Sequence, residues 1–110
     1  MLLDDPLFGI CWDSGHAHIS GINQVEALYM ISSHLKALHI CDNHGGADEH
    51  LPPLAGTIEW ESFMKVLREV RYSGDFTFEV IYRGSGLPHR LYDLFLETLY
   101  ELGNHLLSLA

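Results

Sequence analysis

The chain has 110 residues, 47% of them hydrophobic and 19% charged, with a formal net charge of −9. That length suits a single domain with one core, so residues 1–110 are read as one unit. The acidity opposes the counterion release that drives nucleic-acid binding, and no apolar run approaches the roughly 18 residues of a membrane span, so neither nucleic acid nor membrane is an expected partner.

The first strand is expected near Phe8 to Asp13, a β-rich run that ends on Asp13-Ser14-Gly15-His16. A helix is expected from Asn23, a good N-cap, with Val25, Leu28, Tyr29, Ser32 and Leu35 on one face. The second strand, Ala37 to Asp42, runs into a long loop over 43–57 that contains Gly45, Gly46, Pro52, Pro53 and Gly56. That loop is longer than a βα connection needs, which marks it as functional.

The second helix should bury Trp60, Phe63, Met64, Leu67 and Val70, and Tyr72-Ser73-Gly74-Asp75 should turn the chain into a third strand, Phe76 to Tyr82. A loop from Arg83 to His89 follows. The last helix is expected from about Pro88 to Leu107, with Leu91, Leu94, Phe95, Leu99, Leu102 and Leu106 inward and Gly103 able to end it early. The alternation of short apolar runs with helical patterns predicts an α/β fold of parallel βα units, about three of them.

Parallel-sheet proteins keep their chemistry at the carboxy-terminal strand ends. Here three strands deliver Asp13, His39 and Glu79, a set of one imidazole and two carboxylates that suits Zn²⁺, Mn²⁺ or Fe²⁺. Each residue also has a structural reading. Asp13 can cap the next helix, and His39 can donate to a carbonyl. Glu79, flanked by Phe76, Phe78, Val80 and Ile81, must be paired, metal-bound or protonated if its strand is buried. Cys11 and Cys41 read as inert thiols in a reducing cytoplasm rather than a disulfide pair, and no secretory segment opens the chain. His18, His34, His44, His89 and His105 are expected on the surface or in loops.

The motifs Gly9-Ile-Cys-Trp-Asp13-Ser-Gly-His16, Leu38-His39-Ile-Cys-Asp42-Asn43, His50-Leu-Pro-Pro with Gly56-Thr-Ile-Glu-Trp60, Tyr72-Ser-Gly74 and Phe78-Glu79-Val80 closely resemble the xylose-isomerase-like TIM barrels. That superfamily includes sugar and sugar-phosphate isomerases and epimerases, inosose dehydratases and the endonuclease IV type of apurinic endonuclease. The resemblance implies that the chain matches the last three units of a (β/α)₈ barrel, making it a partial TIM barrel. It implies a divalent metal, Zn or Mn first and Mg, Co or Fe after them, held by Asp13, His39 and Glu79. It also implies a small-molecule sugar or sugar phosphate as substrate.

By the same resemblance His16 and Glu79 are the catalytic candidates, and His16 and His50 the substrate-binding ones; Asp42, in the polar loop where members vary, is a further candidate for substrate contact. In endonuclease-like members Asp48 and His50 match a further metal-binding pair. The implied activity is metal-dependent isomerisation or epimerisation. The alternatives are endonuclease-like phosphodiester hydrolysis and a non-catalytic oligomeric remnant of a barrel.

Epimerase-like members take a fourth metal ligand and a second acid/base glutamate from earlier strands that have no counterpart before Met1. A closed barrel typically takes about 250 residues, and closure is what hides strand edges. Three strands leave two edges and one sheet face open, so a homo-oligomer, a dimer or larger and segment exchange included, is expected to cover them.

Overall fold

The computed structural model describes residues 4–82 and 86–110; Arg83, Gly84 and Ser85, which open the expected loop after the third strand, lie outside the described residues. Strand β1 (Ile10–Asp13) is followed by helices α1 (Ser14–Ile19) and α2 (Gln24–Ile31) and a 3₁₀ turn, Ser32–His34. Strand β2 (Leu35–His39) then pairs in parallel with β1, setting Trp12 beside Leu38 and Asp13 beside His39. Helices α3 (Trp60–Glu69) and α4 (His89–Ser108) complete the order.

Apolar periodicity explains the core. Leu28 of α2, Phe63, Met64 and Val66 of α3, and Leu106 of α4 are all almost fully buried, and they close over Leu38 and Ile40. The Phe63 ring meets Trp60 edge to face at 5.2 Å. Asn23 caps α2 as expected, its side-chain oxygen accepting from Glu26 N at 3.1 Å.

Several elements differ from the sequence expectation. The segment Phe76 to Tyr82 is not a full third strand: Ile40 N donates to Thr77 O and Glu79 N to Ile40 O, each at 2.8 Å, which makes one parallel bridge, Ile40 to Phe78. Beyond that bridge the backbone is taken up by the long loop. Asp42 exchanges both main-chain bonds with Leu51, at 2.7 and 2.9 Å, and Ile81 N donates to His50 O at 3.1 Å. The third segment therefore pairs with β2's extension at Phe78 and with the loop at Ile81.

The short helix α1 stands where no helix was expected. Leu35, expected on a helix face, opens β2, and Tyr29 is 44% exposed, its hydroxyl donating to Glu69 across to α3. Pro88 caps α4 rather than sitting in its first turn, and the helix runs through Gly103 to Ser108. Of its expected inward residues only Leu99 and Leu106 are buried; Leu91 and Leu94 are exposed. Among the described residues no helix is long and apolar enough to cross a membrane.

Candidate metal centre

Asp13 ends β1 and caps α1, its Oδ1 accepting from His16 N at 2.9 Å. The cap and a metal role are compatible, because a carboxylate has a second oxygen. Register sets His39 beside Asp13, and Glu79 lies one residue past the Ile40–Phe78 bridge, so the three groups meet at one end of the parallel segments. One ligand atom from each of Asp13, His39 and Glu79 lies within 4.8 Å of the others.

His39 Nδ1 and Glu79 Oε2 are 3.0 Å apart. Yet Glu79 Oε2, cut off from solvent, forms no hydrogen bond among the described residues. Proximity without hydrogen-bond alignment is what two donors do when they point at a common third position. The premise that the whole Glu79 side chain is buried fails, since 43% of it is exposed. One of its oxygens, Oε2, is nonetheless inaccessible to solvent. Imidazole with two carboxylates fits a first-row divalent ion.

A second constellation adjoins the first. His16 Nδ1 is 3.1 Å from Asp13 Oδ2, and His16 Nε2 is 3.1 Å from Asp48 Oδ2. The same Asp48 oxygen is 3.2 Å from His50 Nε2, and the two imidazole rings stand perpendicular at 6.4 Å. His50 Nδ1 donates to the backbone carbonyl of Glu79 at 2.9 Å. That bond, opposed by burial and helped by the Asp48 charge, raises the His50 pKa above its ordinary value. All of Asp13, His16, His39, Asp48, His50 and Glu79 are thus brought together.

Asp42 is not with them. It is completely buried, Oδ1 accepting from Asn43 N at 2.8 Å and Ile58 N at 3.1 Å. Oδ2 accepts from Leu54 N at 3.0 Å, Gly56 N at 3.1 Å and Trp60 Nε1 at 2.7 Å. The expectation of substrate contact gives way to a loop anchor, because no acceptor capacity is left to offer a ligand. Gly56 is required by this close packing: a Cβ there would stand 2.3 Å from Asn43 O and 2.4 Å from Asp42 Oδ1.

Sequence reasoning missed the supports of Asp13. Ser14 is fully buried and bridges to the extension of β2, its Oγ donating to Cys41 O at 2.8 Å and accepting from Cys41 N at 3.1 Å. Asn43 Nδ2 donates to Gly15 O at 2.9 Å, and Gln24 links Trp12 Nε1 to Ser14 O. A small polar residue directly after a strand-end aspartate was the available signal. The two thiols differ: Cys11 is exposed, whereas Cys41 is buried. Burial, with Asp13, Asp48 and Glu79 nearby, pushes Cys41 up to about 12.

Comparison with known proteins places the fold. The chain is 34% identical over 71 residues to the uncharacterised protein y4fM of Sinorhizobium fredii, covering 64% of this chain and 23% of that one. Among solved structures, 3-keto-D-glucoside 4-epimerase YcjR from E. coli superposes with a TM-score of 0.63 at 26% identity, over 84% of this chain and 33% of the other. A D-tagatose 3-epimerase-like protein superposes with a TM-score of 0.57 at 28% identity, over 84% and 36%. The chain spans about a third of the length of these structural relatives and less of y4fM. Its fold is accordingly a part of a TIM-barrel-like α/β fold with parallel strands. Residues 2–102 match the family described as the xylose isomerase-like TIM barrel, and the chain belongs to that family.

Proposed function

We propose that the chain carries the metal-binding part of a sugar or sugar-phosphate isomerase or epimerase. The observation that carries this reading is the convergence of Asp13, His39 and Glu79 within 4.8 Å, with one Glu79 oxygen held from solvent and without a hydrogen bond among the described residues. A divalent ion bound by these residues supplies electrophilic polarisation of a substrate carbonyl and charge stabilisation beside it.

The names of the two structural relatives both put the epimerised carbon next to a ketone, where a C–H proton is acidic enough for a carboxylate to remove. In this chain Glu79 is the glutamate at the centre and would accept that proton on an oxygen. His16, its side chain 59% exposed and tied to Asp13 and Asp48, would hold a substrate hydroxyl. His50 supports the same arrangement from the loop.

The test is exchange of the proton adjacent to the carbonyl of a ketose or ketose phosphate, followed by NMR in D₂O with Mn²⁺ present. Exchange that is lost in Glu79→Gln supports the reading, and equal exchange in both proteins contradicts it. The pairing of Asp48 with His16 and His50 favours one rival, phosphodiester hydrolysis at abasic DNA, against which the net charge of −9 counts. Cleavage of an abasic duplex, steeply weakened by salt, would decide for the rival.

The reading includes self-association. The exposed Leu91, Leu94, Leu96 and Tyr100 of α4 are apolar surface that a second copy would cover. Sedimentation velocity over a range of concentrations should show a dimer or larger species, and a monomer throughout would contradict this part.

A further inference from the structure

Glu79 stands on a segment with little sheet around it. It has the single bridge to Ile40, with Glu79 N donating to Ile40 O at 2.8 Å. Beyond that bridge, its backbone partner among the described residues is His50. The His50 ring donates through Nδ1 to the Glu79 carbonyl at 2.9 Å, and the His50 carbonyl accepts from Ile81 N at 3.1 Å. One loop residue therefore holds the backbone on both sides of Val80, where a neighbouring strand would otherwise do so.

The residue is built for this duty. Its side chain is 11% exposed and its φ is +53°, a left-handed conformation uncommon outside glycine and held here by the surroundings. Those surroundings are the Asp42–Leu51 main-chain pair next to it and the Asp42 carboxylate, which accepts from Leu54, Gly56, Ile58 and Trp60 and so fixes the loop's return to α3.

We infer that His50 is a positioning residue of the metal centre: through its Nδ1–H it holds the Glu79 backbone so that the carboxylate stays with Asp13 and His39. The inference rests on the metal reading above and deepens it. Outer partners that orient ligating groups typically change metal affinity by about 10–100-fold when removed.

The test is a titration of the 110-residue chain with Co²⁺, read by visible d–d absorption, with circular dichroism to establish that each variant is folded. Glu79→Ala should abolish the site. His50→Ala should keep one ion per chain but bind it about 10–100-fold more weakly. His50→Asn is the informative variant, because an asparagine amide places an N–H near the position of Nδ1, has nothing at the position of Nε2, and tolerates positive φ.

Affinity restored in His50→Asn to near that of the wild type supports positioning through Nδ1. His50→Asn as weak as His50→Ala, or His50→Ala equal to the wild type, overturns the inference while leaving the metal reading intact. A wild-type chain that binds no Co²⁺, or binds it equally well in Glu79→Ala, overturns both.

Discussion

On the helix-covered face of the small sheet, Leu38 of β2 and Ile40 just beyond it are 1% and 0% exposed, whereas Cys11, Ala37 and His39 on the opposite face lie open. One face is sealed by Leu28, Phe63, Met64 and Leu106; the other carries the candidate ligands and, among the described residues, has no helix packed over it. The contrast separates two tasks. Burial of the first face supplies stability, and the second face carries the side chains proposed for the chemistry.

Neighbouring residues of β2 give the largest expected difference. Leu38→Ala should cost about 2–5 kcal/mol in urea unfolding, by lost burial and the cavity left behind. His39→Ala, on the open face, should change stability by about 0.5 kcal/mol or less while removing a metal ligand. Equal losses in the two variants would erase the distinction between the faces.

Asp42→Asn tests the hinge between them. An amide turns one acceptor into a donor against N–H groups that already converge on it, so the variant should lose about 3 kcal/mol. A near-neutral result would mean that the loop does not depend on this carboxylate.

The cysteines report the faces chemically. Iodoacetamide near neutral pH should label Cys11 in the folded protein, and Cys41, buried with its thiol pushed up to about 12, only after unfolding. Cys41 labelling at the rate of Cys11 would show that the region behind the site opens readily.

The smallest effect is a gain. Gly103 sits inside α4, and a Cβ there would meet the Phe78 ring at 3.5 Å, ordinary contact. Gly103→Ala should therefore raise stability by about 0.5–1 kcal/mol. Destabilisation would show that α4 packs more tightly against the third segment than these contacts imply.

The parallel pairing and the buried stripe of α3 were legible because apolar spacing fixes which side of an element faces the core. The grouping of Asp13, His39 and Glu79 was legible for a related reason, since Asp13 ends one apolar run and His39 and Glu79 interrupt two others. What stayed hidden depends on the loop's path. Nothing in the local pattern says that His50 and Leu51 would replace strand pairing beyond Phe78, or that Asp42 would accept from five donors instead of facing a ligand. The α4 stripe also misled, because leucine spacing shows which face is apolar and not whether anything in the same chain covers it.

The most direct test of the account is metal content per chain by elemental mass spectrometry, on protein purified without chelators and compared with Glu79→Ala. The account predicts nearly one Zn or Mn per chain in the wild type and loss of it in the variant. A wild-type chain free of metal, or a variant that retains it, would contradict the assignment of Asp13, His39 and Glu79 as a metal centre.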